Sequence, residues 1–184
     1  MSNALFTGVS YFATGYDKKQ VEDFFDRARQ AYEGRAPVPF AAADIQAASF
    51  DLVRRGYNTH EVDAALDRLE AAFVARASAE YIQVYGNDAW MTALADRART
   101  LYPRLGRPAG ARFAQPSGRQ VGYDQGAVDM VCDRLVGYFD RQEPLTSKQL
   151  RATTFPKARG GKSYAEGPVD AFIARAVEVL LGVE

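Results

Sequence analysis

One pattern recurs four times along the chain and limits what it can fold into. The segments are GYDKKQVEDFFDRA from Gly15, GYNTHEVDAALDRL from Gly56, GYDQGAVDMVCDRL from Gly122 and SYAEGPVDAFIARA from Ser163. Each has a tyrosine, four intervening residues, a valine, an acid beside the valine, and an arginine six after it. The starts are separated by 41, 66 and 41 residues, which predicts two pairs, copies 1–2 and copies 3–4. A second repeat precedes the later member of each pair. PFAAADIQAASF, ending at Phe50, matches PLTSKQLRATTF, ending at Phe155, at an offset of 105 residues.

The repeated unit reads as a helix start. Asp17 is suited to cap the first turn, because its carboxylate can accept from an unpaired backbone amide. Gln20 three residues on, and Glu61 after Asn58, predict capping boxes. The tyrosine before each cap and the valine inside it predict a hydrophobic staple: Tyr16/Val21, Tyr57/Val62, Tyr123/Val128 and Tyr164/Val169. The glycine before the tyrosine in three copies is read as permitting a backbone turn, with Ser163 in its place in the fourth.

Past each valine the apolar residues fall at helical spacing, as in Val21, Phe24, Phe25, Ala28 and Tyr32, or Val128, Val131, Cys132, Leu135 and Phe139. A single short helix cannot hide such a stripe, whereas several packed together can. The expected fold class is therefore all-α, a helical bundle of four short-helix/loop/helix units packed in two pairs. Residues 1–102 are expected to hold the first pair and its long central helix, which Gly86-Asn87 interrupts near Tyr85. A further helix from Asp88 to about Tyr102 is expected to end at Pro103. Residues 103–121, rich in Gly, Pro and Arg, read as a linker loop, and residues 122–184 as the second pair.

Little in the sequence points to catalysis. His60 is the only histidine and Cys132 the only cysteine, so no metal-ligand cluster and no internal disulfide are expected. No cofactor-binding glycine pattern is present, and no catalytic, cofactor or metal residue is assigned. The pairs Asp63/Asp67 and Asp129/Asp133 are spaced to share a helix face, a geometry that paired catalytic acids could use. Structural pairing with the repeated arginines Arg27, Arg68, Arg134 and Arg175 is the preferred reading, because a packing residue is needed in every unit and a catalytic one only once. The absence of an apolar run of membrane-span length, the lack of an export signal at the start and the single cysteine predict a cytoplasmic protein.

The net charge is zero, but residues 1–92 carry 9 Lys+Arg against 13 Asp+Glu, and residues 93–184 carry 14 against 10. Six arginines lie between Arg97 and Arg119 with no acid among them. This asymmetry suits head-to-tail association, contact with an anionic surface, or simple solvation. The basic residues just before helix starts, Arg54 and Arg55 in one pair and Lys157, Arg159 and Lys162 in the other, are the candidate anion or membrane contacts, since a helix N-terminus already favours negative charge. Nucleic acid is disfavoured as a partner by the neutral total charge and by the lack of an aromatic stacking array among these cations.

PFAAADIQAASFDLVRRGYNTHEVDAALDRLEAAF resembles the N-terminal domain of DivIVA, a bacterial scaffold of cell division and polar growth. The matching features are Ile45, Phe50, Arg55-Gly56-Tyr57-Asn58 and Glu61-Val62-Asp63. PLTSKQLRATTF leading into SYAEGPVDAF resembles it more weakly, and the whole chain is similar to the multi-repeat DivIVA-domain proteins of actinobacteria, except over about 75–102. The resemblance implies a non-catalytic, cytoplasmic scaffold or adaptor without a cofactor. Its partners would be other proteins, including a DivIVA-like growth scaffold, and its place would include the inner membrane face of septum or pole; the alternative, from the basic loops, is a peripheral binder of anionic membrane or nucleic acid. Members of that family contact membrane through a phenylalanine just before the Arg-Gly. Here Arg54 stands at that place in copy two, Ala13 in copy one, and Lys162 or Gly161 in copy four.

Overall fold

A computed structural model of the chain describes residues 4–118 and 120–184. Arg119, counted above in the basic stretch, lies outside the described residues. The fold corrects the all-α expectation: about 58% of the chain is helical, but 9% is strand, in two small antiparallel sheets, so the architecture is mixed α/β. The strands are two to four residues long, too short to display an alternating pattern in the sequence.

The chain divides into two compact units, one ending at Ala79 and the other beginning at Glu80. The first holds β1 (Thr14–Tyr16), α1 (Lys18–Tyr32), α2 (Ala42–Gln46), β2 (Leu52–Arg54) and the larger part of α3 (Thr59–Tyr85). Strand β1 pairs antiparallel with β2, Gly15 opposite Val53. On its other side Tyr16 and Tyr57 exchange backbone N–H···O bonds of 3.0 and 2.8 Å. The core gathers Phe24, Ala28, Ile45 and Phe73, with a neighbouring cluster of Val21, Tyr57 and Val62.

The second unit contains α4 (Asn87–Arg99), α5 (Tyr102–Leu105), β3 (Val121–Asp124), α6 (Gln125–Arg141), α7 (Ser147–Arg151), β4 (Lys157–Arg159), a 3₁₀ turn at Gly160–Lys162, β5 (Ser163–Tyr164) and α8 (Glu166–Leu181). Its sheet has the order β4-β3-β5, with Gly122 opposite Ala158 and Tyr123 opposite Tyr164. The two units thus repeat one arrangement, in which two Gly/Ser-Tyr segments lie antiparallel and a third short strand flanks the first of them. Copies 1 and 2 share one unit and copies 3 and 4 the other.

Segment 103–121 sits inside the second unit rather than between units. It contributes Leu105 and Phe113 to a core that also contains Val128, Cys132, Leu135, Val169, Phe172 and Leu180. Pro103 occupies the first turn of α5, where its missing N–H costs nothing, so it opens that helix instead of closing the previous one. The division of the chain falls within α3, at Ala79/Glu80.

The repeated glycines serve close approach, not a turn. A Cβ on Gly15 would lie 2.2 Å from the carbonyl oxygen of Tyr57, and one on Gly122 would lie 2.1 Å from that of Tyr164. The paired backbones therefore touch where a side chain would stand. The predicted capping boxes also rearrange. Asp17 accepts from the Gln20 amide as expected, but the Gln20 side chain bridges to Asp51, and Glu61 accepts from the backbone of Thr7.

Candidate functional site

The tyrosines of the pattern stand in or beside the strands, and the valines stand in the first turn of the following helices. The ring of each tyrosine shares a core cluster with the valines of its own and of the sister copy. Its hydroxyl is directed at the acid that follows the valine of the sister copy. Tyr57, fully buried, donates to Glu22 at 2.5 Å. Tyr164, also fully buried, donates to Asp129 at 3.1 Å. In the reciprocal direction the Asp63 carboxylate acts on Tyr16 and that of Asp170 on Tyr123. Burial first, and the neighbouring carboxylate with it, raises all four phenols above their usual range. The repeated acid is thus a fastener between sister copies.

Asp129 and Asp133, one of the two candidate acid pairs, are further engaged by Arg112. Its guanidinium donates to Asp133 at 2.6 Å and to the backbone carbonyl of Asp129 at 2.7 Å, with the Asp129 carboxylate 3.7 Å away. Gly110 N–H donates to Asp129 at 2.7 Å, and Arg112 N–H donates to the Tyr164 hydroxyl at 3.1 Å. Burial works against the charge of Arg112, but hydrogen bonding to Asp133 and the surrounding carboxylates outweigh it and raise its pKa. The repeated Arg134, expected to pair with these acids, is exposed, and a residue from the supposed linker takes its role. Sequence reasoning missed Arg112 because nothing in the Gly/Pro/Arg-rich run 103–121 distinguishes it from the three other arginines there. Cys132 lies fully buried beside this network, its thiol pushed up to about 11 by burial. His60 is exposed at the start of α3.

The chain has no match among family models, curated proteins or solved structures.

The candidate contact residues Arg54, Arg55, Lys157, Arg159 and Lys162 are all exposed. Arg54 ends β2, opposite Thr14, and Arg159 ends β4, opposite Val121. Arg55 adopts φ 60°, a left-handed conformation that Gly160 takes at the equivalent place in the second unit. Its guanidinium lies 4.2 Å from the ring centre of Tyr11. Beside Tyr11 the ring of Phe12 is 92% exposed. Phe12 was not singled out in the sequence because it lies three residues before Gly15, outside the repeated pattern. Lys157 is engaged within its own unit, 2.6 Å from Glu166 and 4.4 Å above the ring of Tyr123. No helix among the described residues is long and apolar enough to cross a membrane.

The first unit also carries a groove of about 1150 Å³ between α1 and the segment 36–51. Phe24, Phe40 and Phe50 form its floor, with ring centres of Phe24 5.6 Å from each of the others. Asp23, Asp26, Asp44 and Asp51 lie on its wall together with Arg27.

Proposed function

We propose that the chain is a non-catalytic adaptor of the DivIVA-like class, acting through protein contacts in bacterial cell division or polar wall growth. The observation that supports this reading is the reciprocal tyrosine–acid bonding. The acid after each valine, which recurs in every copy and supplies one member of each candidate acid pair, faces the tyrosine of the sister copy, and the second acid of one pair, Asp133, is held by Arg112. What varies between copies is surface, and surface variation around a constant internal frame suits recognition of partners. Cross-linking capture from the native cell tests this. Recovery of a division or wall-growth scaffold at defined cross-linked residues is the expected result. Turnover of a small-molecule substrate abolished by Asp133→Asn in a variant that still folds would refute it.

A second reading, contact with anionic membrane, is favoured by one feature. Exposed Phe12 packs against Tyr11, whose ring carries the Arg55 guanidinium, so an apolar tip lies next to a cation. Co-sedimentation with anionic vesicles, sensitive to salt and lost on Phe12→Ser or on replacing Arg54 and Arg55 by Gln, supports it. Equal pelleting by wild type and these variants rules it out.

A further inference from the structure

The groove of the first unit breaks the internal repeat in a way that points to a ligand. Its floor is shared between units: Phe24 corresponds to Val131, Phe40 to Leu145 and Phe50 to Phe155, so apolar residues here belong to the common frame. Of its charges, Asp26 and Arg27 recur in the second unit as Asp133 and Arg134, and three acids do not recur. Asp23 corresponds to Met130, Asp44 to Gln149 and Asp51 to Pro156. The common frame therefore does not demand a carboxylate at Asp23, whereas Asp44 accepts from the Ala41 N–H, as Gln149 does from that of Thr146, and Asp51 accepts from Gln20.

Four acids and one guanidinium leave the lining strongly negative over an aromatic floor. Asp23 and Asp26 meet only exposed neighbours on their own helix in the hydrogen bonds they make, Asp23 with Lys19 at 2.8 Å and Asp26 with Arg29 at 2.7 Å. Such exposed pairs are weak and exchange readily for an incoming cation. Val38, 68% exposed, adds an apolar side chain at the rim. The volume exceeds that of an ordinary small-molecule pocket and suits several residues of extended chain.

We propose that this groove docks a short extended segment of a partner protein, in which an apolar side chain is flanked by lysines or arginines. The apolar residue rests on the phenylalanine floor and the cations meet Asp23 and Asp26. This rests on the adaptor reading and names the chemistry of its partner.

The test is fluorescence anisotropy of the full chain with ten-residue peptides sharing a central Leu-x-x-Phe and carrying four Lys, no charge, or four Glu. Affinity is expected to fall in that order and to weaken with salt. The double variant Asp23→Asn/Asp26→Asn should lose about tenfold in affinity for the basic peptide with an unchanged melting temperature. The double variant Asp96→Asn/Glu178→Gln, which removes as much charge outside the groove, should retain it. Loss of any charge ordering, or equal loss in both double variants, overturns the proposal. If capture from the cell still yields a specific partner with Asp23→Asn/Asp26→Asn, the groove is refuted while the adaptor reading stands. If the peptides bind as expected but no partner is captured by wild type, the adaptor reading fails instead.

Discussion

The hydroxyl of Tyr164 bonds to the carboxylate of Asp129, the residue after the valine of the sister copy, across the antiparallel contact of β3 and β5. Tyr57 and Glu22 stand in the same relation in the first unit. Replacing Tyr164 by Phe removes a donor from a buried carboxylate and should cost about 1–3 kcal/mol. Urea unfolding of Tyr164→Phe, Asp129→Asn and the double variant measures this. A coupling above about 0.5 kcal/mol is expected, since both residues share one bond.

Gly122→Ala would place a methyl 2.1 Å from the Tyr164 carbonyl, and Gly15→Ala one 2.2 Å from that of Tyr57. Neither backbone can yield without parting the strands, so each variant should lose about 1–3 kcal/mol or more. Gly167→Ala, in the first turn of α8 with open space around it, should be neutral or gain up to about 1 kcal/mol. Thermal melts of the three variants give the comparison.

Arg112→Ala leaves Asp129 buried without its cation and removes the guanidinium that ties segment 103–121 to α6. A loss of about 3–5 kcal/mol is expected from breaking a buried pair in this way. Arg112→Met, similar in length and without charge, should fall equally far if the charge matters and recover partly if packing dominates. Unfolding midpoints decide between them.

Alkaline pH should destabilise the fold. Cys132 is raised from its ordinary 9.0 to about 11, and Tyr16, Tyr57, Tyr123 and Tyr164 are raised as well, in every case chiefly by burial. Each is neutral when protonated, so the folded state is favoured below the unfolded pKa. That advantage fades as pH climbs toward the folded value. The melting temperature should therefore hold up to about pH 9 and decline above it, less steeply in Cys132→Ala at pH 9 to 11. Native Cys132 should also resist alkylation at pH 8 and react once urea unfolds the chain.

The sequence carried the helices well because each valine-led stripe spans several turns. Val21, Val62, Val128 and Val169 all lie in the cores, and α3 ends at Tyr85 just before Gly86. The strands escaped notice for a physical reason. A two- to four-residue strand held by a neighbouring backbone has no side-chain period of its own, so Gly-Tyr looked like the approach to a helix. The acid after each valine was visible in every copy, yet its partner was not, because the bond runs between copies. Arg112 and Phe12 depend on where loops fold back, which local spacing does not encode. The candidate cations Arg54, Arg55, Lys157, Arg159 and Lys162 are exposed, while the aromatic groove was invisible until Phe24, Phe40 and Phe50 came together from three stretches of chain.

Sister segments joined by a covalent tether escape an obligation that binds self-associating subunits. In a twofold dimer of identical chains, every alteration appears on both sides. Here α1 stops at Tyr32 while its sister α3 continues to Tyr85, and Gly122 faces a segment whose own glycine has become Ser163. Each half can drift toward a separate task, and their assembly stays independent of protein concentration.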